Sequence, residues 1–505
     1  MAAEQDKLAK HVERERKFTP SDTAVAPSFD GLSLVARVQR EPVQHLDAVY
    51  FDTPGHDLAE HRITLRRRTG GPDAGWHLKL PAGPDARTEL RVPLDGHDAD
   101  TPPDELTDVV LAIVRDRPLA PVARIETART VDVLYGPNGT ALAEFCDDGV
   151  TATAGDSRQT WREWELELVG DTEPDTAAEL LSRLANRLLD AGAEAAGHGS
   201  KLARVLADAR GDQADEPKPE LTDPVHRAVA EQVSELLVWD RAVRADAWDS
   251  IHQMRVVTRK IRSLLRASET SFGITDDAWV LEELKLLAGI LGVARDAEVL
   301  AEKYEHALAE LPPELVRGPV RERLVDGAKQ RYHTGWKRAL VAMRSSRYFR
   351  LLDGLEELVA AEPAPPPPGV EVESPTVEAS YGKVRKAAKR ADEAAADETV
   401  SAEEADEALH KIRKRAKQLR YTAAALGKGA VADKAKTIQS LLGDHQDSVV
   451  SRVHLAQEAT VAHAAGEDTF TYGVLFEREA EVARRAEDQL GAALKQLRKA
   501  ARNAK

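Results

Sequence analysis

The run His-Val-Glu-Arg-Glu-Arg-Lys-Phe at residues 11–18 decides how the first part of the chain is read. As a strand, its side chains alternate between faces, so Glu13, Glu15 and Lys17 share one face and Arg14 and Arg16 the other. Alone, the run also fits the charged start of a solvated helix. Its weight comes from recurrence downstream. In ITLRRRTG (63–70), Arg66 and Arg68 oppose Leu65 and Arg67, and in GWHLKLP (75–81), His77 and Lys79 oppose Leu78 and Leu80. ARTELRVPL (86–94) sets Arg87, Glu89 and Arg91 against Leu90 and Val92, while ALAEFCDDG (141–149) puts Glu144 and Asp148 on one side. In WREWELELVG (161–170), Glu163, Glu165 and Glu167 oppose Trp164, Leu166 and Leu168.

Two architectures accommodate such strands. One is an ordinary half-exposed sheet with its charges in water. The other is a closed barrel whose charged faces point inward and line a polar tunnel. The mixture of signs favours the barrel, because buried charges of one sign are prohibitively costly and intermixed ones are tolerated. A tunnel carrying both signs suits a metal–polyphosphate ligand: carboxylates hold Mg²⁺ or Mn²⁺, and Arg and Lys hold phosphate oxygens.

The chain has 505 residues, enough for two or three domains, with 42% hydrophobic and 31% charged residues. A single cysteine, Cys146, excludes an internal disulfide framework and fits a reducing compartment, so the cytoplasm is expected. The strongest apolar cluster, Val109–Val114, is too short to span a bilayer, and the charged start of the chain holds no secretory apolar region. The net charge of −16 argues against a polyanionic partner only as an average; the local distribution has to decide.

Composition shifts divide the chain. Residues 1–207 alternate in polarity and carry turn signals such as Gly70-Gly71-Pro72 and Pro137-Asn138-Gly139, reading as mostly β with one helix over about 176–191. A polar linker at 208–222 follows. Helical spacing then runs through 223–360 and 379–505, separated by a Pro-rich linker at 361–378. The two helical halves read as a duplication. His252 is followed by Arg255, Arg259 and Arg262, and His410 by Arg413, Lys417 and Arg420, both at offsets of 3, 7 and 10. A second pair of strings follows in the same order, LGVARDAEV (291–299) and LGDHQDSVV (442–450).

The N-terminal part resembles the CYTH family, or triphosphate tunnel metalloenzymes, whose Glu-x-Glu-x-Lys signature is matched by Glu13-Arg14-Glu15-Arg16-Lys17. YFDT (50–53), LRRR (65–68), WHLKLP (76–81), DDG (147–149), ELEL (165–168) and SKLAR (200–204) follow in the family's order. The resemblance implies an eight-stranded antiparallel barrel with a catalytic set of Glu13, Glu15 and Lys17. It also implies metal-holding carboxylates at Glu13, Glu15, Asp148, Glu165 and Glu167, and phosphate-binding cations at Lys17, Arg66, Arg68, Lys79, Arg124 and Lys201. Arg87, Arg91 and Arg129 are secondary candidates, because a bulge would reverse their facing. Glu163 reads more readily as a solvent-facing strand end. The implied activity is in-line hydrolysis of a terminal phosphoryl group. Inorganic triphosphate is the first substrate by parsimony, since Trp76, Trp161 and Trp164 read as packing residues rather than as a base-stacking pocket.

Offsets of 0, 3, 7 and 10 fall within little more than a quarter of a helix circumference, so each histidine-led set is a stripe. Lys260, Arg266, Lys411, Lys414 and Arg415 broaden it. Cations adjacent on a helix repel, so the stripe needs a reason. It reads either as pairing with acids on neighbouring helices, such as Asp296 and Asp447, with either histidine a satisfied core residue, or as an anion-binding face. HQMRVVTRKIRSLLR (252–266) with LLGVARD, and HKIRKRAKQLRY (410–421) with LLGDHQD, resemble the CHAD family of helical domains. That resemblance implies a pair of pseudo-symmetric four-helix bundles binding inorganic polyphosphate through His252, Arg255, Arg259, Arg262, Arg266 and Arg295, and through His410, Arg413, Lys414, Lys417 and Arg420. The second half departs at Gln446, where the first has Arg295. Nucleic acid is disfavoured, because aromatic residues are only 5% and single-strand binding uses aromatic platforms. The whole reads as a multidomain α+β and all-α chain: a metal-dependent triphosphatase barrel and a polyphosphate-binding helical domain, with polyphosphate granules a candidate location. The rival readings are a non-catalytic polyphosphate scaffold and a barrel acting as adenylyl cyclase or thiamine triphosphatase.

Overall fold

The computed structural model describes residues 9–504 apart from positions 22, 84, 171–172, 211–222, 276–277, 362–375 and 398. The greater part of each expected linker therefore lies outside the described residues.

Alternating sequence gives alternating strands: β1 (Ala9–Thr19), β2 (Arg37–Arg40), β3 (Gln44–Asp52), β4 (Thr64–Thr69), β5 (Gly75–Pro81), β6 (Ala86–Val92), β7 (Ala120–Tyr135), β8 (Ala141–Ala154), β9 (Ser157–Leu168) and β10 (Glu194–Ala195). Eight of them close into a ring in the order β1-β6-β5-β4-β3-β7-β8-β9, with β9 returning to β1; β2 adds to β7 and β10 to β1. Every ladder is antiparallel. Closure removes the sheet edges and gives each strand an inner and an outer face.

Register puts the charges on the inner face together. Glu15 faces Glu167 and Lys17 faces Glu165 across β1–β9; Thr64 faces Lys79 across β4–β5 and Lys79 faces Glu89 across β5–β6. Arg129 faces Asp148, and Asp148 faces Glu163. At the β4–β5 turn, Gly70 adopts φ +76°, where a Cβ would lie 2.0 Å from the His45 carbonyl oxygen, so only glycine fits.

The outer faces are apolar and covered by helices α1 (Asp57–Glu60), α2 (Asp104–Thr107), α3 (Leu111–Val114) and α4 (Pro174–Asp190). Leu181, Leu184 and Leu188 of α4 pack on Phe18, Phe145, Trp164 and Leu166. Leu58, Leu106, Val110 and Ile113 pack on Leu65, Trp76, Leu78 and Leu90. The barrel is thus apolar outside and charged inside, the reverse of a half-exposed sheet. Helix α5 (Lys201–Arg210) differs: Leu202, Val205 and Leu206 pack on Ala48, Tyr50, Ile125 and Ala152.

The rest is helical: α6 (Pro224–Arg244), α7 (Ser250–Ala267), α8 (Glu269–Phe272), α9 (Trp279–Ala309), α10 (Gly327–Met343), α11 (Ser346–Ala360), α12 (Val377–Ala395), α13 (Ala402–Ala425), α14 (Gly429–Ala464) and α15 (Phe470–Asn503). Local chemistry marks several starts. Asp223, Ser345 and Thr376 accept a backbone N–H three residues on, and Ser401 with Glu404 forms a capping box. By packing, the chain divides into two compact units, residues 1–288 with 339–363, and residues 289–338 with 364–505. In the second unit, α12–α15 share a core of Val384, Ile412, Leu419, Ile438, Leu442 and Leu497. Helices α14 and α15, at 36 and 34 residues, outrun α12 and α13 at 19 and 24. Their overhanging apolar residues, Leu455, Ala462, Tyr472 and Leu475, are covered by Tyr304, Leu308, Leu324 and Val325. That is why residues 289–338 pack with the second bundle.

Candidate functional site

Inside the barrel, inward side chains enclose a cavity of about 610 Å³. Its wall includes Glu13, Glu15, Lys17, Arg66, Arg68, Lys79, Glu165, Glu167 and Lys201, all singled out from the sequence, and the secondary candidates Arg87, Arg91 and Arg129.

Most of these charges are cross-braced. Lys17 Nζ donates to Glu15 and Glu165, each at 2.7 Å. Lys201 Nζ reaches Glu165 at 2.7 Å, Glu163 at 2.8 Å and Asp148 at 2.9 Å. Arg129 clasps Asp148 through two bonds of 2.8 and 2.6 Å and touches Glu165 at 2.5 Å. Lys79 Nζ donates to Glu13 at 2.5 Å. Behind this layer His77 Nδ1 lies 2.9 Å from Glu89, and Nε2 lies 2.9 Å from the Asp73 carbonyl. Burial, against the pull of Glu89, drives the His77 pKa down to about 4, so the ring is neutral at pH 7.

The electrostatics are uneven, and the imbalance is informative. Burial works to raise Glu15 and Glu165, but Lys17 with Lys79 brings Glu15 down to about 2, and Lys17, Lys201 and Arg129 take Glu165 well below the usual range. Glu167 goes the other way: burial, Glu13, Glu15 and Glu165 push it up to about 7. Among the described residues Glu167 makes no salt bridge. On the cationic side, burial with Arg66 and Arg129 pushes Arg68 below the usual guanidinium range. One cavity therefore holds a carboxylate, Glu167, crowded by Glu13, Glu15 and Glu165, and a guanidinium, Arg68, crowded by Arg66 and Arg129.

No group of three or more acidic, histidine or cysteine side chains is arranged to hold a metal among the described residues. The chemistry of the donors nonetheless suits a divalent cation: Glu13, Glu15 and Glu167 offer hard carboxylate oxygens, and the repulsion of Glu13 and Glu15 on Glu167 is what such an ion would relieve.

Three assignments change. Arg124, expected among the tunnel cations, lies on the outer face, 58% exposed and paired with Asp47 at 2.9 and 2.6 Å. Alternation runs unbroken from Arg124 to Arg129, five positions on, so the two must face opposite ways, and Asp148 selects Arg129. Asp148, expected to hold metal, is fully buried behind the cavity wall with its oxygens taken by Arg129 and Lys201. Glu163 is not a solvent-facing end: it is 5% exposed and receives Lys201 Nζ. Tyr50 went unassigned, yet its hydroxyl accepts from Arg66 at 3.3 Å and it faces the cavity. Its cross-strand pairing with Arg66 is the signal that would have found it.

On the helices the stripes are real faces. In α7, Met254, Thr258, Ile261 and Leu265 are buried, and in α13 the equivalent Ile412, Ala416, Leu419 and Ala423 are buried. His252, Arg255, Arg262, His410, Arg413, Lys417 and Arg420 are half-buried, while Arg259, Arg266 and Lys414 are exposed. Over 291–299 and 442–450 the sequences of buried, half-buried and exposed positions are identical, Arg295 and Gln446 being equivalent half-buried positions. In the second half the two strings meet. The Arg413 guanidinium lies on α14 at Gly443, where a Cβ would sit 3.6 Å from it, in ordinary van der Waals contact. His410 hydrogen-bonds Gln446, and the nearby Arg413 pulls on Asp447 against a burial that raises it. Arg262 Nε, Arg413 Nε and His410 Nδ1 are buried atoms with no hydrogen-bond partner among the described residues.

The chain matches two domain families, CYTH over residues 11–194 and CHAD over residues 227–456. It is 60% identical to an uncharacterized protein of Mycobacterium tuberculosis, the match covering 100% of both chains. Among solved structures, it is similar to the CHAD domain from the plant Ricinus communis (21% identity, TM-score 0.38, covering 55% of this chain and 91% of that one). It is also similar to a Hippeastrum protein reported with a dominant triphosphatase activity (19% identity, TM-score 0.25, covering 39% and 95%). With a closed eight-stranded barrel in front and a helical region behind, the chain belongs to the proteins in which a CYTH domain is followed by a CHAD domain.

Proposed function

We propose that the barrel is a metal-dependent triphosphatase acting on inorganic triphosphate, and that the helical domain binds inorganic polyphosphate. The observation that carries the first part is the double imbalance within one cavity, a carboxylate locus raising Glu167 beside a cationic locus depressing Arg68. A triphosphate with a divalent cation cancels both at once. CYTH membership supports the same reading.

Lys79, Arg66, Arg68 and Arg129 bind and orient the chain of phosphates, Arg66 being steadied by Tyr50. Lys201 and Arg129 are held in turn by Asp148 and Glu163. Mg²⁺ or Mn²⁺, held by Glu13, Glu15 and Glu167, supplies charge neutralisation at the phosphate oxygens when bound. Water attacks the terminal phosphorus; a new P–O bond forms as the bridging P–O bond breaks. The leaving oxygen keeps the electron pair, beside the preorganised cations that stabilise it. The water's protons leave on orthophosphate and to solvent.

In the helical domain, the half-buried and exposed cations of the two stripes supply N–H donors suited to bare phosphate oxygens. The test is phosphate release from tripolyphosphate with and without Mg²⁺ or Mn²⁺, wild type against Glu13→Gln. Metal-dependent release should fall by about 10²–10³ in the variant, the usual loss when one electrostatic contact to the transition state goes. Equal release from both proteins would sink the assignment.

A further inference from the structure

Next to the charged cavity lies a second, of about 1040 Å³. The two share Glu15, Lys17, Thr64, Arg87 and Ser200, so a single layer of side chains separates them. That layer is held by the Lys17–Glu15 pair at 2.7 Å and by Arg87, whose guanidinium donates to the Gly199 carbonyl. At this end α5 packs on β3, β7 and β8, and the second cavity runs past Thr64 of β4 and Arg87 of β6 to β1, the Leu189 side of α4 and the small residues around Gly197.

We propose that this second cavity is the exit through which cleaved orthophosphate leaves, so that the tunnel trims linear polyphosphate chains from their ends. The inference rests on the triphosphatase function proposed above. Its charge suits an anion in transit. Arg16, Arg62 and Arg87 face it, and Asp85, the acidic residue lining it besides Glu15, is already paired with Arg16 at 2.7 Å. The barrier consists of polar side chains and no apolar core residue: Arg87, held by the Gly199 carbonyl and 3.6 Å from Glu15, and the Lys17–Glu15 pair move aside as phosphate passes.

Two mouths have a chemical consequence. A chain entering by the first mouth fills it with its uncut remainder, held by Arg66, Arg68 and Lys79. Orthophosphate released at the inner end cannot pass back alongside. With a second mouth it leaves forward, and the remainder advances to be cut again. The substrate class then extends from triphosphate to longer linear chains.

The test uses the full chain and two wall variants, Gly197→Trp and Leu189→Trp, with Gly197→Ala as the conservative control. A Cβ at Gly197 meets nothing within 4 Å and its φ is not left-handed, while Leu189 is 46% exposed, so both positions accept a larger side chain. With release of product made limiting, kcat for tripolyphosphate should fall by about tenfold with KM little changed, and a burst of one phosphate per enzyme should appear. Gly197→Ala should behave as wild type. On long polyphosphate, wild type should leave intact long chains beside free orthophosphate, whereas the Trp variants should shorten all chains together. Wild-type-like kcat in both folded Trp variants, or uniform shortening by wild type, would overturn the exit. No phosphate release by wild type at all would instead overturn the triphosphatase reading itself.

Discussion

The tunnel and the helical stripes both gather cations, but they do so under opposite conditions. In the tunnel Lys17, Lys79, Arg129 and Lys201 each lean on at least one buried carboxylate. On the stripes Arg262, Arg413 and His410 are only half-buried, and each keeps one nitrogen without a hydrogen-bond partner among the described residues, as Arg66 and Arg68 also do in the tunnel. Desolvation explains the contrast. A cation enclosed by a barrel is deprived of water on all sides and folds only if paired, whereas a half-buried cation on a helix keeps water on one side and can wait for a ligand. The tunnel is thus preorganised in both signs, which suits chemistry, while the stripe carries a surplus of one sign, which suits binding.

The contrast can be broken most forcefully at Arg129. Arg129→Ala leaves Asp148 and Glu165 short of a partner in the interior; breaking a buried pair from one side costs about 3–5 kcal/mol. Thermal unfolding should show the loss and phosphate release should fall with it, while polyphosphate binding by the helices should be unaffected. A variant as stable as wild type would mean that the tunnel network is not needed for folding.

A smaller effect is expected on the stripe. Arg413→Ala should leave the melting temperature nearly unchanged and lower the slope of log binding constant against log salt by about 1, as for loss of one phosphate contact. Titrations of long-chain polyphosphate over a range of salt read this directly, and an unchanged slope would return Arg413 to a structural role.

His410 sharpens the point through pH. Burial, Lys414 and Arg413 hold its pKa below the usual histidine range in the free protein. A bound polyanion favours the protonated ring, so binding takes up a proton and affinity should rise as pH falls from 7.5 to 6. A shift of one unit at one group limits the gain to about tenfold. His410→Gln should flatten this dependence; a wild-type profile already flat would exclude the histidine from the contact.

The smallest effect belongs to Arg124. It sits on the same strand as Arg129 but pairs with Asp47 in solvent, and Arg124→Ala should leave phosphate release at the wild-type level. A large drop would show that the outer face of β7 takes part after all.

The sequence carried much of this because strands and helices have fixed periods. Alternation alone put Glu13, Glu15 and Lys17 on one face, and a helical spacing of 3, 7 and 10 put each histidine-led set on another. The repeated nine-residue strings even share one burial pattern. The choice between Arg124 and Arg129 was also latent there, since residues five apart on an unbroken strand cannot face the same way. What no local pattern contained is which charges meet across strands distant in the chain. That Asp148 serves Arg129 and Lys201 rather than the cavity, that Glu163 is buried beneath Lys201, and that Glu167 makes no salt bridge among the described residues depend on how the ring closes between β1 and β9. Periodicity fixes the face a side chain takes, because the backbone repeats every two or 3.6 residues. Its pKa and its partner are set by the low-dielectric space that closure creates, and that space exists only in the folded barrel.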